Sequence, residues 1–361
     1  MSYLDESKLA VIAFYLITCR NRKAKRRLIK HNIDAPELPG LSRNDLSSFG
    51  FAAEEIENIK NRYLLAAEEE AGKAQRSDIE FIFKGEEYYP PLLAEIYDPP
   101  GFIYALGDKT ILNSKKIAVV GSRQGSSYGW LCLQNTLPDL CEAGLAIVSG
   151  MAYGIDSMAH KIALKEEGKT IGVNAGGLLN LYPPGNRGLI DKIIEKGCII
   201  SEFALDTVPR PFYFPIRNRI IAGISQHVLV VEAAKKSGSL ITARLGLEQG
   251  KDILAFPGRI DSPLSRGTNY LIQQGAKSIT AADDILEEYG IQLKREKGAE
   301  KFNFSKKEEK ILDLMALNEL NSIDYFVENI DFSVSEIISL LMGLILKNVV
   351  FQEAGGYKRN R

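Results

Sequence analysis

Short apolar runs, each closed by a glycine, serine or proline turn, recur through the middle of the chain: Lys115–Arg123, Leu145–Gly150, Thr170–Asn174, Cys198–Glu202, His227–Glu232 and Asp252–Pro257. Runs this apolar do not alternate between a wet and a dry face, so they predict strands buried on both sides. Most of the intervening segments carry helical patterns, which predicts βαβ crossovers and an α/β fold with a mostly parallel sheet across Lys115–Ile279. In open sheets of this kind ligands bind outside the carboxyl ends of the strands, so candidate chemistry is sought there.

The flanks follow different rules. Leu9, Ile12, Ala13, Leu16 and Ile17 fall at helical spacing in a helix predicted from Ser7 to about His31. Its far end is basic (Arg20, Arg22, Lys23, Lys25, Arg26, Arg27, Lys30), which suits the negative end of a helix dipole and equally makes a phosphate- or partner-contacting patch. Asp34–Gly50 is turn-rich and Ala53–Gln75 is again helical in pattern, giving a helical domain over residues 1–76. Prolines in Tyr88–Leu93 and Asp98–Gly101 interrupt regular structure. Phe81–Phe83 and Phe102–Ala105 read as edge strands added to the main sheet, so the central domain is taken as 77–288, followed by a polar linker, Tyr289–Glu300. In the last domain, 301–361, Ser305–Glu308 and Ser333–Glu336 are capping boxes that start helices. Val349–Lys358 reads as a hairpin turning at Gly355-Gly356. The helix Glu336–Leu346 has no basic residue before Lys347, which favours packing or protein contact over base reading.

Composition narrows the classes. With 361 residues, two or three domains are expected, and 45 basic against 46 acidic side chains give a net charge of −1. That excludes a uniformly basic nucleic-acid coat and leaves room for a local basic groove. Cys19, Cys132, Cys141 and Cys198 lack ligand-like spacing and read as buried thiols of a reducing compartment, with no metal or cofactor implied. No signal-like N-terminus and no apolar run near the ~20 residues of a membrane span are present, so a cytoplasmic chain without a membrane partner is expected.

The candidate chemistry lies in the turns after the strands. Gly121-Ser122-Arg123 opens a loop reaching Gly129 whose glycines do not follow the dinucleotide fingerprint, and no P-loop occurs. The loop and the helix after it can hold an anion, with Arg123 beside them. Gly150 and Gly154 give tight turns after the second run; Asp156 suits a helix N-cap, and His160 has no ligand-spaced partner and reads as packing. Tyr182 is held in a Pro-Gly turn, and Pro211–Arg219 sets aromatics beside Arg217, Asn218 and Arg219. Lys236-Ser237-Gly238-Ser239 again places small residues and a lysine at a helix start, and Arg259, Thr268 and Asn269 close the set. Several such turns suit a run of phosphates better than one small anion, and aromatics interleaved with cations suit single-stranded nucleic acid.

Taken together these motifs resemble the DNA-processing DprA (Smf) family. The likeness runs through Gly121–Arg123, Ser149–His160, Tyr182-Pro183, Ser201–Phe203, Arg217–Gly223, Val231-Glu232, Ser237–Leu240, Pro257-Gly258 and Gly267–Asn269, in that order. The resemblance implies a Rossmann-like core, an N-terminal helical SAM-like domain and a C-terminal winged-helix domain. It also implies a cytoplasmic homodimer that binds single-stranded DNA and loads RecA in natural transformation, without enzymatic activity. Family phosphate contacts map to Arg123 and Lys236; Arg219 and Arg259 are added as affinity-giving cations, with the glycine and serine turns supplying N–H groups. Gly246 stands where the family more often has alanine. The alternative is a nucleoside-monophosphate phosphoribohydrolase on the same core, but Ser237–Arg244 lacks the glutamate that such an enzyme needs. A dinucleotide-binding regulator lacks its fingerprint.

Overall fold

In the computed structural model the described residues are 4–18, 21–293, 304–316, 319–346, 349–353 and 355–359. Cys19, Arg20, Lys347, the part of the expected linker beyond Leu293 and the side chain of Arg22 lie outside them. Tyr289, expected to open that linker, is instead buried in the core of the central sheet, its hydroxyl donating to the Lys116 carbonyl at 2.9 Å. The chain divides into two compact units, Met1–Leu293 and Lys294–Arg361.

The first unit opens with helices α1 (Glu6–Thr18), α2 (Arg22–Lys30), α3 (Arg43–Phe49), α4 (Ala53–Asn61) and α5 (Tyr63–Arg76). The single helix expected over Ser7–His31 is therefore two. Asn21 ends the continuity by accepting the Ala24 N–H at 3.1 Å with its side chain, the act of an N-cap. The expected basic face is also partly spent: Lys25 is buried and pairs with Asp98 at 2.9 Å, while Arg27 donates to the Ser48 carbonyl at 3.1 Å.

Next come β1 (Glu80–Phe83), α6 (Pro91–Ala94), β2 (Phe102–Gly107), β3 (Lys116–Val120), α7 (Ser127–Glu142), β4 (Ala146–Ser149), α8 (Ile155–Lys165), β5 (Thr170–Val173), α9 (Arg187–Lys196), β6 (Cys198–Ser201), α10 (Tyr213–Gly223), β7 (His227–Val230), α11 (Gly238–Glu248), β8 (Asp252–Ala255), α12 (Arg266–Gln273), β9 (Lys277–Ser278) and α13 (Ala282–Leu286). Each apolar run became a strand. The sheet order is β1-β2-β6-β5-β4-β3-β7-β8-β9, parallel from β6 to β9, with β2 and β1 added antiparallel at one edge. Separate apolar cores cover its two faces, one around Ile220, Val228 and Ala243, the other around Leu137, Ile147 and Leu254. That double covering is why polar side chains of the parallel strands, such as Lys116, Ser149, Thr170 and Ser201, stand only at strand ends. Cys141 and Cys198 are buried free thiols, as expected, whereas Cys132 is free but only half-buried because it lies at the edge of the buried face of α7.

The N-terminal helices share a core with this sheet. Phe14, Ala67 and Ala71 pack in one cluster with Phe81, Phe102, Tyr104 and Ile193. Burying each large apolar side chain is worth about 1.5–3 kcal/mol. A polar tie reinforces the packing: buried Glu70 accepts the Tyr104 hydroxyl at 2.9 Å and the Leu205 N–H at 2.6 Å.

The second unit runs α14 (Lys306–Leu314), β10 (Leu320–Asn321), α15 (Ile323–Asn329), α16 (Val334–Leu346), β11 (Val350–Glu353) and β12 (Gly356–Arg359), its strands ordered β10-β12-β11. Both capping serines work: Ser305 accepts the Glu308 N–H at 3.2 Å and Ser333 accepts that of Glu336 at 3.3 Å. Ile311, Phe326, Ile337, Leu341, Leu344 and Tyr357 form its core. Val334, Ser335, Ser339 and Met342 of α16 are exposed, so that helix shows solvent an apolar and small-residue surface.

Candidate nucleic-acid interface

The chain enters the parallel sheet at β3, moves outward through β4, β5 and β6, then crosses back to place β7 on the other side of β3. This reversal is a topological switch point, where connections leaving neighbouring strands diverge and open a crevice. Val120 and Val230 are register partners, so Gly121-Ser122-Arg123 and the Val231–Ser239 loop leave the sheet side by side. Between them lies a crevice of about 460 Å3, lined by Gly121, Ser122, Arg123, Arg217, Asn218, Ser237, Gly238 and Ser239 among others. Eight candidates scattered over 119 positions of sequence thus meet in one place.

Its floor is held by close approaches. Gly154 sits at φ +75°, and a Cβ there would come within 2.3 Å of the Ser122 carbonyl oxygen. The next residue, Ile155, donates its N–H to that carbonyl at 3.1 Å, so the start of α8 clasps the turn after β3. Asp156 is not the N-cap of α8, as expected, because Gly154 takes that place and puts Asp156 inside the first turn. From there its carboxylate accepts the Gly150 N–H at 3.1 Å and faces Arg217. A Cβ on Gly150 would lie 2.7 Å from both the Arg217 guanidinium and the Asp156 carboxylate, so glycine is what lets the pair meet.

Arg217 is buried and held through Nε and Nη1: it donates to the Gly150 carbonyl at 2.9 Å, to the Val173 carbonyl, and to the Asn218 side-chain oxygen at 3.0 Å. Burial pulls its pKa down to about 10, against the attraction of Asp156, and nearby Arg123 pulls the same way as burial. Burial likewise pushes Asp156 up to about 6, against Arg217 and the N–H groups it accepts. Arg123, in contrast, is exposed. Its guanidinium stands 5.1 Å from the centroid of the Phe214 ring, with that of Arg217 at 5.7 Å. One half-buried ring thus supports two cations. The ring of Tyr182, delivered by its proline turn, meets Phe214 edge-on at 5.6 Å.

Two helices begin at the crevice rim, and they differ. The start of α7 is already satisfied: Ser126 accepts the N–H groups of Tyr128 (3.1 Å) and Gly129 (3.3 Å), and buried Glu232 accepts the Ser126 N–H at 2.8 Å and its hydroxyl at 2.5 Å. The anion expected at this helix start is therefore the chain's own carboxylate, which corrects the reading of that loop as an open anion site. At α11, Ser237 accepts the Ser239 N–H at 3.3 Å and the two hydroxyls lie 2.7 Å apart. With Gly238 exposed between them, this end faces the crevice.

Residues 80–290 match the family described as DNA recombination-mediator protein A. The chain belongs to that family. The DNA processing protein DprA of Bacillus subtilis is 41% identical over 260 residues, covering 71% of this chain and 85% of that protein. Protein Smf of Escherichia coli is 38% identical over 283 residues, 76% of each. The X-ray structure of DprA from Streptococcus pneumoniae superposes with a TM-score of 0.64 at 34% identity, covering 78% of this chain and 96% of that one. DprA from Helicobacter pylori, whose structure is described by its single-stranded DNA binding mode, gives 0.54 at 30% identity over 58% and 95%. The Rossmann-like core is the fold of these DprA structures.

Within this DprA-type core the remaining candidates fall elsewhere. Arg219 is buried on the other side of α10, its Nη2 in an ion pair with Glu202 and its Nε and Nη1 buried without a hydrogen-bond partner, so the reading of it as an affinity-giving cation is corrected: its guanidinium is shielded. Arg259 is exposed and held bidentate by Asp261 at 2.8 and 2.9 Å. Asn269 braces that loop, accepting the Gly258 N–H at 3.1 Å and donating to its carbonyl at 2.9 Å. Thr268 is buried and donates to the Ser265 carbonyl at 3.1 Å, which makes it a structural contact. Lys236 is exposed on the loop that ends at Ser237. His160 is buried with Nδ1 2.7 Å from the Thr170 hydroxyl, and burial pulls its pKa down to about 3, the state of a neutral packing residue. Phe214, Asp156 and Glu232 are the site residues that sequence reasoning did not assign. Phe214 had the signal of its place in an aromatic–arginine run, while Asp156 and Glu232 stood within the family-like motifs without a role at the site.

Proposed function

We propose that the β3–β7 crevice binds single-stranded DNA and that the protein is a non-enzymatic mediator of recombination. The observation that carries this reading is exposed Arg123 poised over Phe214, facing the serine-rich start of α11 across the crevice. That arrangement offers a cation and backbone dipole to phosphate and an aromatic surface to a base, which are the two needs of sequence-tolerant strand binding. The single-stranded DNA binding mode described for the H. pylori relative supports the same reading. Arg123, Lys236, Ser237, Gly238 and Ser239 make the phosphate contacts; Arg217, Asn218 and Gly150 hold the floor. Among the described residues the one carboxylate lining the crevice, Asp156, is engaged with Gly150 and Arg217, which suits binding better than acid–base work.

In this reading the protein acts in the cytoplasm as a homodimer and delivers its strand to RecA. The helices α1–α5 form a SAM-like module, and residues 301–361 form a winged-helix domain whose α16 surface is for protein contact. Fluorescence anisotropy with labelled single- and double-stranded oligonucleotides across a salt series tests the central claim. The expected result is preference for single strands with a log–log slope that falls by about 0.7 on Arg123→Ala. Equal binding of both forms by wild type and Arg123→Ala would remove the crevice from the function.

A further inference from the structure

A second basic site lies outside the crevice. The groove between α8 and α9 holds about 520 Å3 and is lined by Lys161, Lys165, Lys192 and Lys196 over a floor of Leu164 and Leu189, with Glu195 at its side. All four lysines are exposed. Lys165 lies 3.5 Å from exposed Glu166, and among the described residues no ion pair engages Lys161, Lys192 or Lys196. Lysines in the last turn of a helix answer its dipole, which accounts for Lys165 and Lys196. It does not account for Lys161 and Lys192, which stand one turn earlier on each helix and converge on the same groove.

The groove is also aimed. α8 starts at the crevice, where the Ile155 N–H bonds the Ser122 carbonyl at 3.1 Å, and α9 starts beside α8: Asn186, just before it, donates to the Met151 carbonyl and the Ser157 hydroxyl, each at 2.9 Å. At ~1.5 Å per residue, Lys161 and Lys165 lie about 9 and 15 Å along α8 from Ile155. That length matches about four stacked nucleotides at ~3.4 Å each. We infer that the α8–α9 groove is a second phosphate-binding track, which takes up the single strand as it leaves the crevice beside Arg123. The inference rests on the crevice reading above.

The test uses the full-length protein and 5′-labelled oligothymidylates of about 8 and about 24 nucleotides, the shorter meant to fill the crevice alone. The Lys161→Ala/Lys165→Ala/Lys192→Ala/Lys196→Ala variant changes only exposed side chains. It is expected to bind the short oligonucleotide as wild type does and to lose most of the affinity gained on lengthening. Its salt slope for the long one should drop by up to about 2.8, at ~0.7 per phosphate contact. Arg123→Ala is expected to weaken both lengths. If Arg123→Ala acts and the lysine variant keeps the full length-dependent gain and slope, the track is overturned alone, and an acidic protein partner becomes the better occupant of the groove. If Arg123→Ala changes neither length, the crevice reading falls and takes the track with it.

Discussion

Arg217 and Arg219 stand two residues apart on α10 and face opposite ways. The guanidinium of Arg217 closes the floor of the crevice beside Asp156, while that of Arg219 is sealed behind the helix against Glu202. A step of two residues is about 200° of helix rotation, so neighbouring cations on one helix have unrelated jobs. Breaking a buried ion pair by deleting one partner costs about 3–5 kcal/mol, because the other charge stays behind unpaired. Arg219→Met is therefore expected to lower stability by that order in urea denaturation, while folded protein keeps its single-strand affinity. Arg219→Met combined with Glu202→Leu should recover most of the loss. Reduced affinity in folded Arg219→Met would return this residue to the interface.

Phe214 is expected to matter through its face. Phe214→Ala removes the surface under Arg123 and Arg217 and should cost about 1–3 kcal/mol of single-strand binding. Phe214→Tyr should retain most of it. Equal affinities for the two variants in anisotropy titrations would mean that the ring only packs.

Asp156 gives a pH dependence with a definite sign. Its native pKa, pushed up to about 6 by burial, lies above the ordinary carboxylate value of 3.8. Between these values the unfolded chain has released a proton that the native state keeps, so this group's contribution to stability falls as pH rises from about 4 to about 6. Around the native value, from about pH 5 to about 7, its ionisation adds negative charge to the crevice floor. Single-strand affinity is thus expected to weaken as pH rises from about 5 to about 7, and Asp156→Asn should flatten that part of the profile. An unchanged profile in Asp156→Asn would assign the titration to another group.

The shared core of α1–α5 with the sheet makes a truncation prediction. Removing residues 1–76 uncovers Phe81, Phe83, Phe102 and Tyr104, whose ring centroids lie 5.0–6.1 Å apart in one aromatic cluster. That truncation should aggregate or lose its cooperative thermal transition. Ending the chain at Leu293 instead should leave the first unit folded and binding. A soluble, cooperatively melting 77–293 fragment would show the helical layer to be dispensable.

Much of this was legible in sequence because burial on both faces leaves the middle of a strand little choice but apolar residues. Lys116–Val120 and His227–Val230 announce themselves in that way. The helix starts were equally plain at Ser305, where a side chain caps its own neighbour. What stayed hidden depends on long-range closure. Nothing local says that Glu232 reaches back 106 positions to Ser126, or that Asp156 meets Arg217 across Gly150. The break at Asn21 was lost for a milder reason: helical periodicity on both sides runs through it, and only the cap distinguishes two helices from one.

The carboxylate of Glu232 at the head of α7 has a further consequence for rates. Loops that receive phosphate are commonly ordered by the phosphate itself, and the freedom they lose then weakens association. Here an internal acid holds the Gly121–Gly129 segment in shape before any strand arrives. On the function proposed above, docking is expected to immobilise little of the receptor, leaving encounter to diffusion and charge attraction instead of a slow rearrangement.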